Sequence, residues 1–158
     1  RGHRRRKHPG HIGISRDPCR TPMQWDISPN AGFSAGHPWL PLGPDYLTHN
    51  VEVQASQADS MLALHRRLIA LRRSSPVLLA GGYRSIEIDD EDCFVYLREA
   101  GGQRFCIALN LGDRMRTLAL RGLGQGRVIV STHMDRTDAI DLTALYLREN
   151  EGVVIELA

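Results

Sequence analysis

The sequence predicts a mainly β protein whose C-terminal part is an antiparallel β-sandwich, preceded by a long loop and one helix. Three observations lead to this fold class. Short segments of alternating hydrophobicity follow one another from Tyr83 onward, and turn-forming residues separate them. Helical spacing of apolar residues is found before this region, over residues 57–74. The stretch before that helix shows little periodicity of either kind.

The sandwich rests on seven predicted strands with turn residues between them. The alternation is clearest in Phe105, Ile107 and Leu109. Glycine pairs such as Gly101-Gly102 are typical of tight hairpin turns. The predicted strands are 83–88, 93–99, 104–111, 115–121, 127–132, 144–148 and 152–157. Short strands at such close spacing favour two packed antiparallel sheets.

The helix over residues 57–74 has an apolar face whose members recur every three or four residues: Met61, Leu64, Leu68 and Leu71. Either Asp59 or Ser60 is a suitable N-cap. Pro76 prevents the helix from continuing, because proline lacks the amide hydrogen and clashes with the preceding turn. Upstream, residues 9–55 are rich in proline, glycine, asparagine and aromatic side chains. A structureless loop of this length is usually functional.

Bulk properties exclude several classes of protein. The net charge of +2 produces no strong field towards nucleic acid or membrane. No apolar run approaches the roughly 20 residues needed to span a bilayer. A tight turn at Gly101-Gly102 would place Cys106 opposite Leu97, roughly 13 Å from Cys93 at the rise of a strand. We therefore expect reduced thiols and a cytoplasmic protein.

A motif near the N-terminus carries a family resemblance. The segment from Ser15 to Asp26 reads SRDPCRTPMQWD, and it resembles the RDxxRTPMQW signature of α-glucosidases and oligo-1,6-glucosidases in the α-amylase superfamily, glycoside hydrolase family 13. The similarity continues downstream in the same order, with further matches at 30–34, 38–41, 50–54 and in the helix from Ser60 to Arg73.

The resemblance implies a (β/α)8 barrel followed by a small β-sandwich. A barrel needs about 200 to 250 residues, which this chain cannot supply before Tyr83. Residues 1–80 are therefore expected to be the last loop and last helix of an incomplete (β/α)8 barrel, and residues 81–158 the sandwich domain. The missing N-terminal barrel is the expected partner of this chain.

The chemistry implied by the family is retaining hydrolysis of α-glucosidic bonds in malto- or isomalto-oligosaccharides. The family uses an Asp nucleophile and a Glu acid/base roughly 5 Å apart, and a further Asp that holds sugar hydroxyls. All three lie on earlier barrel strands, so no catalytic residue is predicted here. The chain alone is expected to be inactive, and no cofactor is implied.

Two arginines are the predicted substrate-binding residues. The resemblance assigns Arg16 to a clamp on the terminal, non-reducing glucose and Arg20 to the same polar network. A guanidinium offers a rigid fork of donors that suits sugar oxygens. A contact at the terminal glucose favours exo-action. The nearby aromatic residues Trp25, Phe33 and Trp39 are either stacking platforms for sugar or, as we favour, packing groups.

Rival functions rest on weaker patterns. The sandwich could be an independent carbohydrate-binding module, and the basic run RGHRRRKH at residues 1–8 could bind nucleic acid. We favour a solvated end for the basic run, because no aromatic residues interleave it. The acidic turn at 89–92 and the loop with His133, Asp135, Asp138 and Asp141 lack the ligand spacings of known calcium and zinc sites. We predict no metal and no nucleic-acid partner.

Overall fold

The computed structural model describes residues 20–158. The chain divides after Ala58 into two compact units, and each is described in turn. Most elements are antiparallel strands, which confirms the predicted mainly β fold class. The boundary between residues 80 and 81, predicted for the parent enzyme, stays a prediction.

The first unit holds a 3-10 turn at Pro29–Gly32 and helix α1 at Val51–Ser56. The sequence predicts a loop over this whole stretch, so α1 is a difference. Its six residues are fewer than two helical turns, too few to show a hydrophobic period. Asn50 starts it as N-cap, with its side chain accepting a hydrogen bond from Val53 N.

The second unit begins with two helices on one side of a sheet. Helix α2 spans Met61–Ser74, and helix α3 spans Pro76–Ala80. The predicted start at residue 57 is wrong by four residues, because the Ser60 side chain caps α2 by accepting from Ala63 N. Pro76 ends the helical run as predicted. It also occupies the first turn of α3, where its missing amide hydrogen costs nothing.

Eight strands follow. They are β1 (Gly82–Ile86), β2 (Cys93–Ala100), β3 (Gln103–Asn110), β4 (Arg116–Leu118), β5 (Gln125–Ser131), β6 (Ala139–Asp141), β7 (Leu145–Leu147) and β8 (Gly152–Leu157). One sheet has six strands in the order β1-β2-β3-β8-β5-β6, and β4 pairs with β7 in a second sheet. Strand β6 was not predicted, because three residues carry too little alternation. The predicted strand at 115–121 shrinks to β4.

The β2–β3 hairpin turns at Gly101-Gly102 and places Leu97 opposite Cys106, as predicted. Cys93 faces Asn110, further along the same ladder. Cys93 and Cys106 are both buried and free. Burial raises the pKa of the Cys106 thiol to about 12, so this group stays a neutral thiol in solution near neutral pH.

The core lies between the two sheets. Leu97, Val128 and Ile155 come from the large sheet, and Leu145 and Leu147 from β7, all with at most 1% of their surface exposed. Burying one such side chain stabilises the fold by about 1.5–3 kcal/mol. The alternation that is clearest in the sequence, at Phe105 and Ile107, belongs to the other face of the large sheet, where these side chains pack with Val77.

The outer face of the large sheet carries the helices of the same unit. Val77 of α3 packs with Phe105 and Ile107. Strand β5 bulges between Val128 and Val130. Arg67 of α2 donates from Nη2 to the Ile129 carbonyl at 2.9 Å. A bulge leaves a residue out of the ladder, and here its carbonyl is satisfied by the helix.

An ion-pair network around a buried glutamate joins two loops of the second unit. Glu151 is fully buried and accepts hydrogen bonds from Arg148 N at 2.8 Å, Nε at 3.2 Å and Nη2 at 2.7 Å. Arg148 also forms a two-pronged pair with Asp135 at 2.6 and 2.7 Å, and Arg136 lies 3.6 Å from Glu151. We call Asp135, Arg136, Arg148 and Glu151 the Glu151 network.

Candidate functional site

The segment that carries the family motif lies at the start of the first unit. Arg20 is exposed at a bend, and the residues after it, through Trp25, have no regular secondary structure. Arg16, the other predicted substrate-binding residue, lies outside the described residues. The structure therefore places one of the two predicted residues and does not report their relation.

Gln24 ties the motif to the beginning of α1. Its carbonyl accepts from Val51 N at 3.0 Å, and its side chain donates to the His49 carbonyl. The next residue repeats the pattern, since Glu52 N donates to the Trp25 carbonyl at 3.0 Å. The short helix thus holds the motif backbone from one side.

Asn50 anchors the other end of these contacts. Its Oδ1 accepts from Val53 N at 2.8 Å, and its Nδ2 donates to the Tyr46 carbonyl at 2.8 Å. Only 2% of Asn50 is exposed. Both ends of the amide are therefore used, as a buried polar group requires.

A left-handed turn also supports the motif. The Ala31 carbonyl accepts from Trp25 N at 2.9 Å and from Asp26 N at 3.3 Å. Asn30 and Ala31 both have φ of 56°. Asparagine tolerates this region, but alanine does so only under strain, which persists where the surroundings impose it. We call Gln24, Ala31 and Asn50 the polar frame.

Asp26 closes the same turn. Its carboxylate accepts from the hydroxyl and from the backbone N–H of Ser28. These hydrogen bonds lower the pKa of Asp26 below its ordinary value. The carboxylate is thus engaged as a structural acceptor next to Trp25.

The three aromatic side chains considered as stacking platforms are exposed. Trp25, Phe33 and Trp39 have 50%, 49% and 78% of their surface accessible. Trp39 lines a concavity of about 370 Å³ together with Asn30 and His37. A second concavity of about 260 Å³ borders the motif at Thr21, Gln24 and His49. Both predicted roles, sugar stacking and packing, remain open.

The polar loops weighed as metal sites have protein partners. Asp90 and Asp92 pair with Arg116 at 2.8 and 2.5 Å. Asp138 lies 3.5 Å from Arg136, and Asp141 accepts from Thr143. Across residues 20–158, no group of three or more His, Cys, Asp or Glu side chains is arranged to hold a metal ion. None of the helices in this range could cross a membrane.

Sequence reasoning missed the polar frame. Both Gln24 and Asn50 belong to matched segments, but no role is predicted for them from the sequence. The His49 carbonyl, the partner of the Gln24 side chain, lies 25 positions further along the chain. A partial signal was present: Asn50 directly precedes α1, and asparagine is a strongly preferred N-cap. No comparable signal predicts the bond from Gln24 to His49.

Comparisons of this chain with family models, sequences and solved structures agree on one family. The family model described as alpha amylase, catalytic domain, matches residues 3–81, which is half of the chain. The chain is 35% identical over 119 residues to a glucan 1,6-alpha-glucosidase of Streptococcus pneumoniae, covering 75% of this chain and 22% of the relative. It is 38% identical over 146 residues to an amino acid transporter heavy chain of Mus musculus, covering 87% and 21%.

The fold agrees with a solved enzyme. The crystal structure of a trehalulose synthase from Pseudomonas mesoacidophila superposes with a TM-score of 0.82 at 29% identity, over 91% of this chain and 26% of that one. The chain thus spans about a fifth to a quarter of the proteins it matches. It belongs to the α-amylase family, glycoside hydrolase family 13, and corresponds to the C-terminal part of its glucosidase members.

Proposed function

We propose that this chain is the C-terminal part of an exo-acting α-glucosidase that hydrolyses α-glucosidic bonds of malto- or isomalto-oligosaccharides. The likeness to a glucan 1,6-alpha-glucosidase supports the hydrolase class. The partner is an N-terminal barrel that supplies the catalytic carboxylates, and residues 1–80 complete that barrel. Without the barrel the chain is inactive.

The polar frame carries this proposal. It fixes the backbone of the motif segment on two sides, through Gln24 to α1 and through Ala31 to the left-handed turn. A substrate-positioning segment needs such rigidity, because a misplacement of about 1 Å can cost roughly a hundredfold in rate. Arg20 precedes this frame in the chain and is exposed to solvent, so it is accessible to a ligand.

The proposed mechanism is retaining hydrolysis. A carboxylate of the barrel attacks the anomeric carbon while a carboxylic acid protonates the leaving oxygen, and water then releases the glucose from the enzyme. This chain holds the sugar. Arg16 donates to oxygens of the terminal glucose, and Arg20 supports it in the same network. An extended glucan could not pass such a clamp, which accounts for exo-action.

The test uses the longer protein encoded by the gene. We expect it to release glucose from maltose or isomaltose. Arg16→Ala should lower kcat/KM by about ten- to a hundredfold, the range for a lost hydrogen bond to a charged group. Arg20→Ala should have a smaller effect. Product analysis of a labelled oligosaccharide should show glucose as the first product.

Arg66→Ala is the matched control, since Arg66 is an exposed arginine of α2 outside the motif. It should leave kcat/KM unchanged. Full activity of Arg16→Ala would contradict the clamp. The 158-residue chain alone should not turn over 4-nitrophenyl α-glucoside, and turnover proportional to protein would contradict the assignment of the carboxylates to the barrel.

A second candidate function is carbohydrate binding by the sandwich itself. One observation favours it: Tyr83, Phe94 and Tyr96 form a continuous aromatic cluster on the outer face of β1 and β2. The ring centroids of Tyr83 and Tyr96 are 5.4 Å apart, and those of Phe94 and Tyr96 are 5.6 Å apart. Tyr83 and Phe94 are 56% and 43% exposed. Apolar ring faces of this kind suit the flat face of a sugar.

Calorimetry with maltose separates this candidate from the first. If the sandwich is a binding module, the 158-residue chain binds maltose saturably, and Phe94→Ala abolishes the heat. The matched control is Tyr146→Ala, an exposed aromatic residue of β7 outside this cluster. Absence of saturable binding removes the candidate and leaves the glucosidase proposal intact.

A further inference from the structure

A concavity of about 370 Å³ in the second unit is lined by arginines from three segments that are distant in sequence. Arg84 comes from β1, Arg104 from β3 and Arg121 from the loop between β4 and β5. Among residues 20–158, Glu87 is the one acidic residue of this lining. We call this site the arginine concavity.

Two of its arginines are held in place by acceptors of the same unit. Glu99 accepts from Arg84 Nε at 3.4 Å and from Arg84 Nη2 at 3.2 Å. Arg104 Nη2 donates to the Ala158 carbonyl at 3.0 Å. A guanidinium has five N–H donors, so each side chain is oriented by these contacts and still keeps donors for a ligand.

Arg121 brings a third guanidinium to the concavity. Its side chain is exposed, and no acceptor within residues 20–158 binds it. The next residue, Gly122, also lines the concavity and has φ of 83°. Nothing lies within 4 Å of the position that a Cβ would take there. A ligand can therefore approach the backbone of this turn closely.

The charges of the arginine concavity are not balanced in the part of the chain that the structure describes. Its three arginines have two carboxylates beside them, Glu87 in the lining and Glu99 on Arg84. Elsewhere in this unit the ratio is reversed, since Arg116 alone pairs with both Asp90 and Asp92. Like charges that converge in this way repel each other, and a bound anion would relieve the repulsion.

We propose that the arginine concavity binds a phosphate group, either as inorganic phosphate or as a small phosphate monoester. The planar fork of a guanidinium matches the oxygens of phosphate, and the hydrogen bonds are charge-assisted. The phosphate accepts from Arg121 and from the remaining N–H groups of Arg84 and Arg104. The volume lies within the roughly 300–1,000 Å³ found for small-molecule sites. This site is separate from the sugar-binding role and does not rest on it.

The first test is calorimetry of the 158-residue chain at low salt with inorganic phosphate, glucose 6-phosphate and glucose. We expect one-to-one binding of both phosphates, weakened by added sodium chloride, and no binding of glucose. Tighter binding of glucose 6-phosphate would identify a monoester as the ligand, and equal or tighter binding of inorganic phosphate would identify the free anion. Absence of binding by both phosphates, or equal binding of glucose, would overturn the proposal.

Variants locate the ligand. Arg121→Met removes the unpaired guanidinium, so affinity for the tighter phosphate should fall about tenfold or more. Arg104→Met should have a similar effect. Arg121→Lys keeps the charge without the fork and should lie between wild type and Arg121→Met. Circular dichroism confirms that each variant is folded.

Arg114→Met is the matched control, because the Arg114 side chain is 82% exposed and does not line the concavity. It removes the same charge and should leave phosphate affinity unchanged. An equal loss in Arg114→Met and Arg121→Met would show that phosphate responds to net charge alone, and this would overturn the proposal. Unchanged binding by both Arg121→Met and Arg104→Met would also overturn it.

Discussion

The two units of this chain are stabilised in different ways. The second unit has a closed apolar core, with leucines of β7 and of the large sheet at most 1% exposed. Among residues 20–58, the buried apolar side chains are Pro22, Ala31 and Leu40. Its backbone is instead held by polar contacts of Gln24 and Asn50. Apolar burial supplies most of the free energy of folding, so the sandwich should be much the more stable unit.

The unit that carries the family motif is thus not the unit with the large apolar core. The sandwich buries a cluster of aliphatic side chains between its two sheets, whereas the first unit exposes Trp25, Phe33 and Trp39 and carries the motif. Binding residues are often found on loops that a rigid scaffold positions. The polar frame gives the loop a defined shape without the burial that stabilises a sandwich.

The largest expected effect comes from removing the carboxylate of the Glu151 network. Glu151→Ala leaves Arg148 and Arg136 without their buried partner, and breaking a buried pair costs about 3–5 kcal/mol. Urea unfolding followed by circular dichroism measures the loss. Glu149→Ala, an exposed neighbour, is the control. Equal urea midpoints of unfolding for the two variants would show that the network does not stabilise the sandwich.

A core truncation should follow closely. Leu147→Ala removes a fully buried side chain between the sheets, which costs about 2–5 kcal/mol. Leu111→Ala, at a leucine that is 70% exposed, should change the free energy of unfolding by less than about 0.5 kcal/mol. Similar costs at both sites would contradict a core confined between the two sheets.

The pH dependence of the sandwich comes next. Hydrogen bonds from Arg148 lower the pKa of Asp135 well below its usual range. Burial raises the pKa of Glu151, but hydrogen bonds from Arg148 outweigh it, so this pKa is also lowered. Depressed carboxyl pKa values stabilise the fold above the unfolded-state pKa. This stability is lost as pH falls through the folded-state pKa.

Stability of the wild-type sandwich should therefore fall steadily below about pH 4, where unfolded carboxyl groups begin to take up protons. Asp135→Asn should flatten the acid limb of a plot of unfolding midpoint against pH. Asp113→Asn changes a carboxylate whose side chain is 92% exposed and should leave that limb unchanged. An acid limb of the same slope in all three proteins would exclude this role for the network.

The smallest effect is expected in the first unit. Asn50→Ala removes the cap of α1 and the bond to the Tyr46 carbonyl, at a cost of about 1 kcal/mol. Amide exchange within 20–58 should become faster, with no change in 81–158. Asn50→Asp retains the cap acceptor and lacks the Nδ2 donor, so it should lie between wild type and Asn50→Ala. Slower exchange in Asn50→Ala would be inconsistent with the polar frame.

The sequence predicted those features that depend on neighbours along the chain. The hairpin at Gly101-Gly102 fixed the pairing of Leu97 with Cys106, because a two-residue turn determines the register. The alternation of β3 was visible because it depends only on the order of residues along one strand. Ser60 was recognised as one of two possible caps, and its hydroxyl accepts from Ala63 N.

Other features depend on residues that are distant in sequence. Arg67 donates a hydrogen bond to the Ile129 carbonyl, which lies 62 positions further along the chain. Neither residue indicates the bulge of β5 in the sequence alone. The sequence predicts Arg148 at the end of the strand 144–148, while its partner Asp135 is considered there as a metal ligand. The binding role of Arg16 and Arg20 came from family resemblance, and physical reasoning on the residues alone would not have selected them.

Hydrogen exchange with mass spectrometry on the 158-residue chain tests the central contrast most directly. We predict that amides of residues 81–158 exchange through global unfolding and are strongly protected, whereas those of residues 20–55 exchange through local opening and are much less protected. Limited proteolysis should cut in the same order. Uniform protection across both stretches would contradict the account.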